Sequence, residues 1–276
     1  MNEYRLEVFK KAALCRHFEN QAYKAIQDKH IKYPAYLSAG QEFISCSIAT
    51  ILEQIKIKPD IFIQHRGHST YLAFGGNIDS LILELIGDSR GCANGMGGSA
   101  SIQCKEKNIY GHDGLMGNQI PIAVGACFAK RKPTIAIVGD SAAEEDYVLS
   151  SIGWAATKNL PILFIVEDNN LSILTEKKVR RSWEMHKVSL AFGVESYDIS
   201  DDPAEIKEYL KNPFKKPLLL NINTTRKYWH AGAGSDGDFF DRYEDEKKSI
   251  GEKAVLIDKD TEKKVFEKWQ THLEKL

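Results

Sequence analysis

The sequence predicts an α/β fold, a parallel sheet flanked by helices, and the prediction depends on two apolar runs and the stretch between them. Residues 134–138 and 161–166 are short, rich in β-branched side chains and free of polar alternation, as expected of strands covered on both faces of a parallel sheet. Apolar residues recur between them at helical spacing: Val148, Leu149, Ile152, Ala155 and Ala156. This order forms a βαβ unit, in which the two strands run parallel.

The rest of the chain supplies further strands and packing helices. We expect strands at residues 61–64, 194–199 and 217–221, and helices at residues 2–28, 41–55, 79–86, 122–129, 203–210 and 261–276. The first and last helices each carry an apolar face, which indicates that they pack against the sheet domain. Residues 1–276 show no repeat and no clear linker, so they are predicted to form a single domain.

Two segments between these elements have unusual compositions. Residues 176–186 are densely charged, which is typical of a mobile, solvated surface segment. Residues 91–101 are rich in glycine and predict a flexible or tightly turning loop. The glycine spacing and the lack of a strand directly before it exclude a dinucleotide-binding fingerprint.

The composition is that of an ordinary globular protein. The 276 residues are 43% hydrophobic and 27% charged, with a formal net charge of -1, so nothing favours nucleic acid or an anionic membrane as a partner. The five cysteines are scattered without metal-ligand spacing, and no apolar run approaches the ~20 residues of a membrane helix. The amino terminus lacks the apolar core of a signal peptide, and a reduced, cytoplasmic location is expected.

Polar residues follow both strands of the central βαβ unit. Asp140 comes directly after the first apolar run and Asn169 after the second, and parallel strands bring such residues to the same carboxyl edge. Carboxylate and amide oxygens are ligands that Mg²⁺ accepts, and the turn at Gly139 with the helix start after it favours phosphate. Ordinary turn and capping roles are the alternative.

A basic cluster follows the predicted strand at residues 61–64. It reads His65-Arg66-Gly67-His68, and the planar guanidinium of Arg66 suits bidentate binding of phosphate groups. His230 lies after the predicted strand at residues 217–221. A histidine near its reference pKa can donate to a phosphate or orient a carboxylate. A histidine-rich surface turn is the alternative for the first segment, and an ordinary surface histidine is the alternative for His230.

The order of these motifs resembles a known family. Gly139-Asp140-Ser141, Leu160-Pro161 and Glu167-Asp168-Asn169 are similar to the signature of thiamine diphosphate enzymes. The sequence is most similar to the alpha subunits of 2-oxo acid dehydrogenases of the pyruvate, branched-chain and acetoin types. The resemblance covers roughly residues 35–245 and implies a thiamine diphosphate-binding fold of the diphosphate-binding type.

The same resemblance implies a set of site residues. Mg²⁺ would be bound by the side chains of Asp140 and Asn169 and by the carbonyl of Leu171, with Asn170 as the alternative to Asn169. The other cofactor-binding residues would be Arg66, Gly114, Met116, Gly139, Ser141, Ala142 and His230, with Arg66 on the diphosphate and the backbone of Gly114 and Met116 on the aminopyrimidine. His68 and His230 would be the catalytic residues.

The sequence departs from the family pattern at four places. His65 stands where the family has Tyr, Ser141 where it has Gly, and Trp229 where it has Gly. Ala100-Ser101 replaces a Met-His pair in the glycine-rich loop. The last difference leaves the family's substrate or docking histidine without a counterpart.

The resemblance implies the alpha subunit of a two-chain enzyme that uses thiamine diphosphate and Mg²⁺. Such an enzyme decarboxylates a 2-oxo acid and transfers the resulting acyl unit, with a lipoyl-domain acyltransferase as a possible acceptor. A beta subunit would carry the pyrimidine-binding domain and the activating Glu, in a heterotetramer. Two alternatives stay open: a carboligase or split transketolase-like subunit, and a non-catalytic regulatory or binding subunit.

Overall fold

A six-stranded sheet, parallel throughout, forms the centre of the computed structural model, which describes residues 3–235 and 237–274. The predicted segments also include Asn2, Asp236, Lys275 and Leu276, which lie outside the described residues. The strands are β1 (Asp60–Phe62), β2 (Ile109–Tyr110), β3 (Thr134–Gly139), β4 (Ile162–Asp168), β5 (Leu171–Ser172), β6 (Thr175–Glu176), β7 (Glu195–Ser200) and β8 (Leu218–Asn223). The sheet order is β2-β1-β3-β4-β8-β7, and β5 and β6 form a separate antiparallel hairpin.

Helices cover both faces of this sheet. They are α1 (Glu3–Gln27), α2 (Glu42–Gln54), α3 (His68–Ala73), α4 (Ile78–Leu85), α5 (Gln119–Lys130), α6 (Asp146–Thr157), α7 (Lys177–Arg180), α8 (Met185–Ala191), α9 (Pro203–Tyr209), α10 (Arg242–Ile250) and α11 (Glu252–Leu273). Among the described residues, no helix is both long and apolar enough to cross a bilayer.

The predicted βαβ unit is present at the centre of the sheet. β3 and β4 pair in parallel, with Val138 opposite Val166. Ile135 and Ile137 of β3 contribute to the core beneath one face, and Ala136 and Val138 to the core beneath the other. Because both faces are covered, neither strand needs polar alternation. The predicted α/β fold with a parallel sheet flanked by helices is confirmed.

The amino-terminal and carboxyl-terminal helices pack against each other. α1 contacts α11 along much of its length, and Phe18 of α1 lies 5.4 Å from Trp269 of α11 between ring centroids. Both side chains are fully buried. α11 begins at Glu252, earlier than predicted, because Gly251 with φ +80° ends α10 and lets the chain turn directly into the next helix.

The prediction that residues 176–186 are a solvated surface segment is wrong for its two arginines, although Lys178, Val179 and Ser182 are exposed. This segment contains β6 and α7 and the start of α8, and Arg181 is only 8% exposed. A run of charges is usually solvated, but here two arginines find acidic partners in a distant part of the chain. Arg180 lies 3.2 Å and Arg181 3.3 Å from the carboxylate of Glu144.

Candidate functional site

A cavity of about 320 Å³ lies at the carboxyl edge of the sheet, where β1, β3, β4 and β8 end. Most of the predicted site residues line it: Arg66, Met116, Gly139, Asp140, Ser141, Ala142, Asn169, Leu171 and His230. Parallel strands deliver residues from distant parts of the chain to one edge, and the structure brings these residues together there. Gly114 and His68 do not line the cavity.

Asp140 is buried beside the end of β4. Its amide donates to the Glu167 carbonyl at 3.3 Å, and Arg180 donates to its Oδ2 at 2.5 Å. Burial, reinforced by the charge of Asp168, raises the pKa of Asp140 to about 6, although Arg180 and Arg181 act in the opposite direction. The Asp140 carboxylate, which lines the cavity, therefore already pairs with an arginine.

Asn169 directly follows β4, the strand next to β3, and is held by two hydrogen bonds. Its Nδ2 donates to Gln41 Oε1 at 3.0 Å, and its Oδ1 accepts from the Leu171 amide at 3.1 Å. Gln41 thus fixes which end of the carboxamide is the oxygen. The cavity is lined by Asn169 and not by Asn170, whose φ is +65°, and this placement favours Asn169 over the alternative.

Glu167 lies behind Asn169 and was not singled out from the sequence as a ligand. It is 3% exposed, and it accepts hydrogen bonds from Gln64 Nε2 and, at 3.2 Å, from Gln41 Nε2. Burial raises its pKa to about 7, against the influence of Gln64 and Arg66. The Glu167 carboxyl is therefore connected through Gln64 to the cavity lining and through Gln41 to Asn169.

One wall of the cavity is cationic. Arg66 donates from Nη1 to the Leu37 carbonyl at 2.7 Å and from Nη2 to the His230 carbonyl at 3.1 Å. Arg226 also lines the cavity and donates to the Ile173 carbonyl at 2.9 Å. These contacts with backbone carbonyls hold two guanidinium groups beside His230, so the wall is suited to an anionic group.

A cluster of aromatic rings backs this wall. The ring centroid of His65 lies 4.8 Å from Tyr36, 5.6 Å from His230 and 5.9 Å from His112. Burial and the nearby Arg66 lower the pKa of His65 to about 2, so its ring is neutral at physiological pH. Within the described chain, its buried Nε2 has no hydrogen-bond partner.

His112 does not line the cavity but packs against His65, and it was not singled out from the sequence. It is 3% exposed, and neither of its ring nitrogens has a hydrogen-bond partner among the described residues. Burial lowers its pKa. Its position in a Gly-His-Asp-Gly turn gave no signal, because the residue next to it in space, His65, is far away in the sequence.

His68 is placed differently from the other predicted catalytic residue, His230. It is fully buried at the start of α3, where its Nδ1 lies 3.1 Å from Glu19 Oε2 and its Nε2 lies 2.9 Å from Ser99 Oγ. Because both ring nitrogens have partners inside the core, the placement gives a direct catalytic role no support.

The segment predicted to meet the aminopyrimidine lies at the rim. Gly114 has φ +102°, and a Cβ added there would meet no atom within 4 Å, so it faces open space beyond the cavity. Met116 lines the cavity, and its carbonyl accepts a hydrogen bond from Tyr147 at 2.5 Å. The roles predicted for both backbones stay predictions.

The glycine-rich loop turns tightly around one buried carboxylate. Glu84 accepts hydrogen bonds from the amides of Ala93, Gly95, Gly97 and Gly98, at 2.6, 2.9, 2.8 and 3.1 Å. Gly95 and Gly98 have positive φ, which lets successive amides point at one centre. The conformation of the loop is thus stabilised by a carboxylate of the same chain.

Two of the departures from the family pattern have local explanations. Ser141 donates to Ser172 at 2.9 Å, which ties the turn after β3 to the β5–β6 hairpin. Trp229 is half exposed and its ring covers Gly234, where an added Cβ would come within 2.2 Å of the indole. Trp229 therefore packs on the following loop.

The donors present fit a divalent cation and a diphosphate. No cluster of three or more His, Cys, Asp or Glu side chains in the described part of the chain could hold a metal, so a cation here would depend on Asp140, Asn169 and the Leu171 carbonyl. These are hard oxygen donors of the kind that Mg²⁺ uses together with phosphate. Buried donors without partners, Nε and Nη1 of Arg180, lie beside Asp140, and such donors suit anionic oxygens.

Solved structures place the fold among those of transketolases. The transketolase of Campylobacter jejuni superposes with a TM-score of 0.60 and 17% identity, over 100% of this chain and 50% of that one. The transketolase of Leishmania mexicana superposes with a TM-score of 0.61 and 14% identity, over 98% of this chain and 46% of that one. The fold is therefore of the transketolase type.

The chain belongs to the dehydrogenase E1 component family, whose pattern matches residues 10–259. It is 26% identical over 238 residues to the mitochondrial pyruvate dehydrogenase E1 component subunit alpha-1 of Arabidopsis thaliana, covering 82% of this chain and 60% of that protein. It is 26% identical over 248 residues to the pyruvate dehydrogenase E1 component subunit alpha of Rickettsia bellii, covering 84% of this chain and 74% of that protein.

A rice relative shows the length difference more strongly. The mitochondrial pyruvate dehydrogenase E1 component subunit alpha-1 of Oryza sativa is 30% identical over 175 residues, which are 62% of this chain and 44% of that protein. This chain thus spans 60% or less of the two plant relatives. The resemblance to the dehydrogenase alpha subunits that the motifs indicated is confirmed.

Proposed function

We propose that this chain is the alpha subunit of a two-chain enzyme that decarboxylates a 2-oxo acid with thiamine diphosphate and Mg²⁺ and transfers the resulting acyl unit. The observation that carries the proposal is a single cavity that joins Asp140 and Asn169 to Arg66 and His230. Membership of the dehydrogenase E1 component family supports the same conclusion.

The metal end of the site would be formed by the two central strands. Asp140 and Asn169 supply side-chain oxygens and Leu171 a carbonyl oxygen, and all three residues line the cavity. Gln41 keeps the amide nitrogen of Asn169 turned toward itself, so the oxygen is the atom left for the cation. Gly139, Ser141 and Ala142 form the turn that leads away from it.

The diphosphate end would be formed by the cationic wall. Arg66 and Arg226 are permanently charged, and their other contacts with backbone carbonyls fix their position. His230 is next to Arg66 and can hold or release a proton close to the reacting atoms. The bound thiamine diphosphate supplies the carbanion and the electron sink, while these residues bind, orient and screen charge.

A partner chain would complete the site. The resemblance assigns the pyrimidine-binding domain and its activating Glu to a beta subunit, and Gly114 and Met116 lie at the rim that such a subunit would close. A lipoyl-domain acyltransferase is the acceptor that the resemblance implies. The proposal keeps the cytoplasmic, reducing location expected from the scattered cysteines of the sequence.

The test is reconstitution with the cognate beta-type chain. With thiamine diphosphate and Mg²⁺, the mixture is expected to decarboxylate pyruvate or a branched 2-oxo acid and to reduce an artificial electron acceptor, whereas the isolated chain does neither. Formation of carbon–carbon bonds without acceptor reduction would instead support the carboligase or transketolase-like alternative. Absence of both reactions for every 2-oxo acid tried would refute the proposal.

One contact favours a second candidate, a non-catalytic subunit. Arg180 donates to the Asp140 carboxylate at 2.5 Å, and a permanent ion pair at this position would leave the cation without its charged ligand. Calorimetry on the mixed complex separates the two: absence of Mg²⁺-dependent heat of thiamine diphosphate binding leaves only the non-catalytic subunit, whereas such heat together with decarboxylation of a 2-oxo acid excludes it.

A further inference from the structure

His68 bridges an acid and a hydroxyl inside the core. Its Nδ1 lies 3.1 Å from Glu19 Oε2, and its Nε2 lies 2.9 Å from Ser99 Oγ. Glu19 and His68 are fully buried and Ser99 is 1% exposed. A neutral imidazole with its proton on Nδ1 satisfies every contact, because it donates to Glu19 and accepts from the Ser99 hydroxyl. We call these three residues the buried relay.

Both ends of the buried relay hold one short segment of backbone. Glu19 accepts from the Ser38 amide at 2.7 Å and from the Ser38 hydroxyl at 2.5 Å. Ser99 Oγ accepts from the Tyr36 amide at 2.8 Å. Residues 36–38 are therefore fixed at both of their ends by side chains from α1 and from the glycine-rich loop.

The same segment supports the cationic wall of the cavity. Its central carbonyl, that of Leu37, accepts from Arg66 Nη1 at 2.7 Å. The ring of Tyr36 packs edge-on against His65 at 4.8 Å and against His230 at 5.4 Å. A shift of residues 36–38 would therefore move the guanidinium and both rings together.

We propose that Glu19, His68 and Ser99 are positioning residues that fix residues 36–38, and through them Arg66, so that the cavity binds the diphosphate of the cofactor tightly. The inference rests on the proposed function for the identity of the anion. In this role His68 does not contact the cofactor and acts through residues 36–38 and Arg66.

A matched set of variants tests this role. Ser99→Ala removes the hydroxyl that links His68 to the Tyr36 amide, and Ser99→Thr keeps it. Thr70→Val is the control, because it removes a buried hydroxyl contact of similar kind, between Ser45 and Thr70 at 2.7 Å, outside the relay. If Ser99→Ala fails to fold, Ser99→Cys serves instead, since a thiol of similar volume is only a weak hydrogen-bonding group.

The first measurement needs no ligand. Hydrogen exchange of peptides that contain the Tyr36 and Ser38 amides is expected to speed up in Ser99→Ala, and to stay at the wild-type rate in Ser99→Thr and Thr70→Val. The second is calorimetry with Mg²⁺ and either inorganic pyrophosphate or thiamine diphosphate, in the presence of the beta-type chain. Ser99→Ala is expected to weaken binding of both ligands about tenfold, because a displaced Arg66 would lose about one charge-assisted hydrogen bond to the diphosphate.

The outcomes separate this inference from the proposed function. Unchanged exchange and affinity in Ser99→Ala, or an equal loss of affinity in Thr70→Val, overturns the positioning role. If the wild-type protein binds thiamine diphosphate no more tightly than pyrophosphate, the proposed function is wrong. The pyrophosphate affinities of the variants then still test the positioning role of the buried relay. If the wild-type protein binds neither ligand, both are wrong.

Discussion

Arg180 of α7 donates through Nη2 to Oδ2 of Asp140 at 2.5 Å, although the two residues are 40 positions apart in the sequence. The Arg180 side chain is 12% exposed and the Asp140 side chain 3%, so water does not substitute freely for either partner. A cation bound to the same carboxylate would lie close to this guanidinium, so the two positive charges compete for Asp140.

Replacing the arginine is therefore expected to strengthen metal binding. Arg180→Gln should lower the Kd for Mg²⁺ about tenfold in the presence of thiamine diphosphate, because a charge-assisted hydrogen bond of ~1.5 kcal/mol or more no longer competes. Lys178→Gln on the same helix is the control, since the Lys178 side chain is 76% exposed and pairs with Glu176. Calorimetric titration measures both, and equal or weaker Mg²⁺ binding in Arg180→Gln contradicts the idea that Arg180 competes.

Removing the carboxylate should have the opposite effect. Asp140→Ala is expected to abolish Mg²⁺-dependent retention of thiamine diphosphate while the fold, followed by circular dichroism, is kept. Asp146→Ala at the start of α6 removes an exposed carboxylate nearby and should leave retention unchanged. Cofactor affinity at the wild-type level in Asp140→Ala would mean that the metal is bound elsewhere.

The neutral, half-buried His65 makes the stability of the fold depend on pH. Its pKa in the folded chain is lowered to about 2, chiefly by burial, whereas an unfolded histidine titrates near 6.5. The unfolded state therefore binds more protons between these values, and the free energy of unfolding falls as the pH drops below about 6.5. From pH 7 to pH 5 this group should cost about 2 kcal/mol.

His65→Phe should remove that dependence. Denaturant unfolding at pH 7 and pH 5 is expected to show a loss smaller by about 2 kcal/mol in the variant than in the wild type. His30→Phe, outside the cavity, is the control, and its free energy of unfolding should depend on pH as that of the wild type does. If the free energy of unfolding changes equally between pH 7 and pH 5 in wild type and His65→Phe, the His65 ring is not held neutral in the folded chain.

The carboxylate inside the glycine-rich loop should be important for stability. Glu84→Ala leaves four amides without their acceptor, and we expect a loss of about 3 kcal/mol or more in the free energy of unfolding. Glu84→Gln keeps one oxygen and should lose less. Asp88→Asn, in the exposed turn beside it, is the control, and limited proteolysis within residues 91–101 is expected only in the Glu84 variants.

Local patterns predicted most of the fold. The central βαβ unit follows from apolar runs and helical spacing within about 35 residues of chain, and the parallel pairing of β3 with β4 agrees with it. Asp140 and Asn169 reach one cavity for the same reason. Their placement depends only on strand direction, which the connection rule supplies.

Partners that are distant in sequence were not predictable in this way. Arg180 and Arg181 looked like solvated charges, because their acidic partners, Asp140 and Glu144, lie about 40 positions earlier in the chain. His68 looked like a site residue, because nothing near it in the sequence shows that Glu19 and Ser99 occupy both of its nitrogens. The short helices α3 and α8 lack a long apolar period, so their packing and not their pattern decides their structure.

The loop that closes on Glu84 has a consequence for how glycine-rich segments are interpreted. Its inward-pointing amides already surround a negative charge that belongs to the protein itself, so a nucleotide or free phosphate finds no vacant cradle there. A related chain with leucine or valine at this position would leave four inward-pointing amides without an acceptor, and the same bend would lose its support.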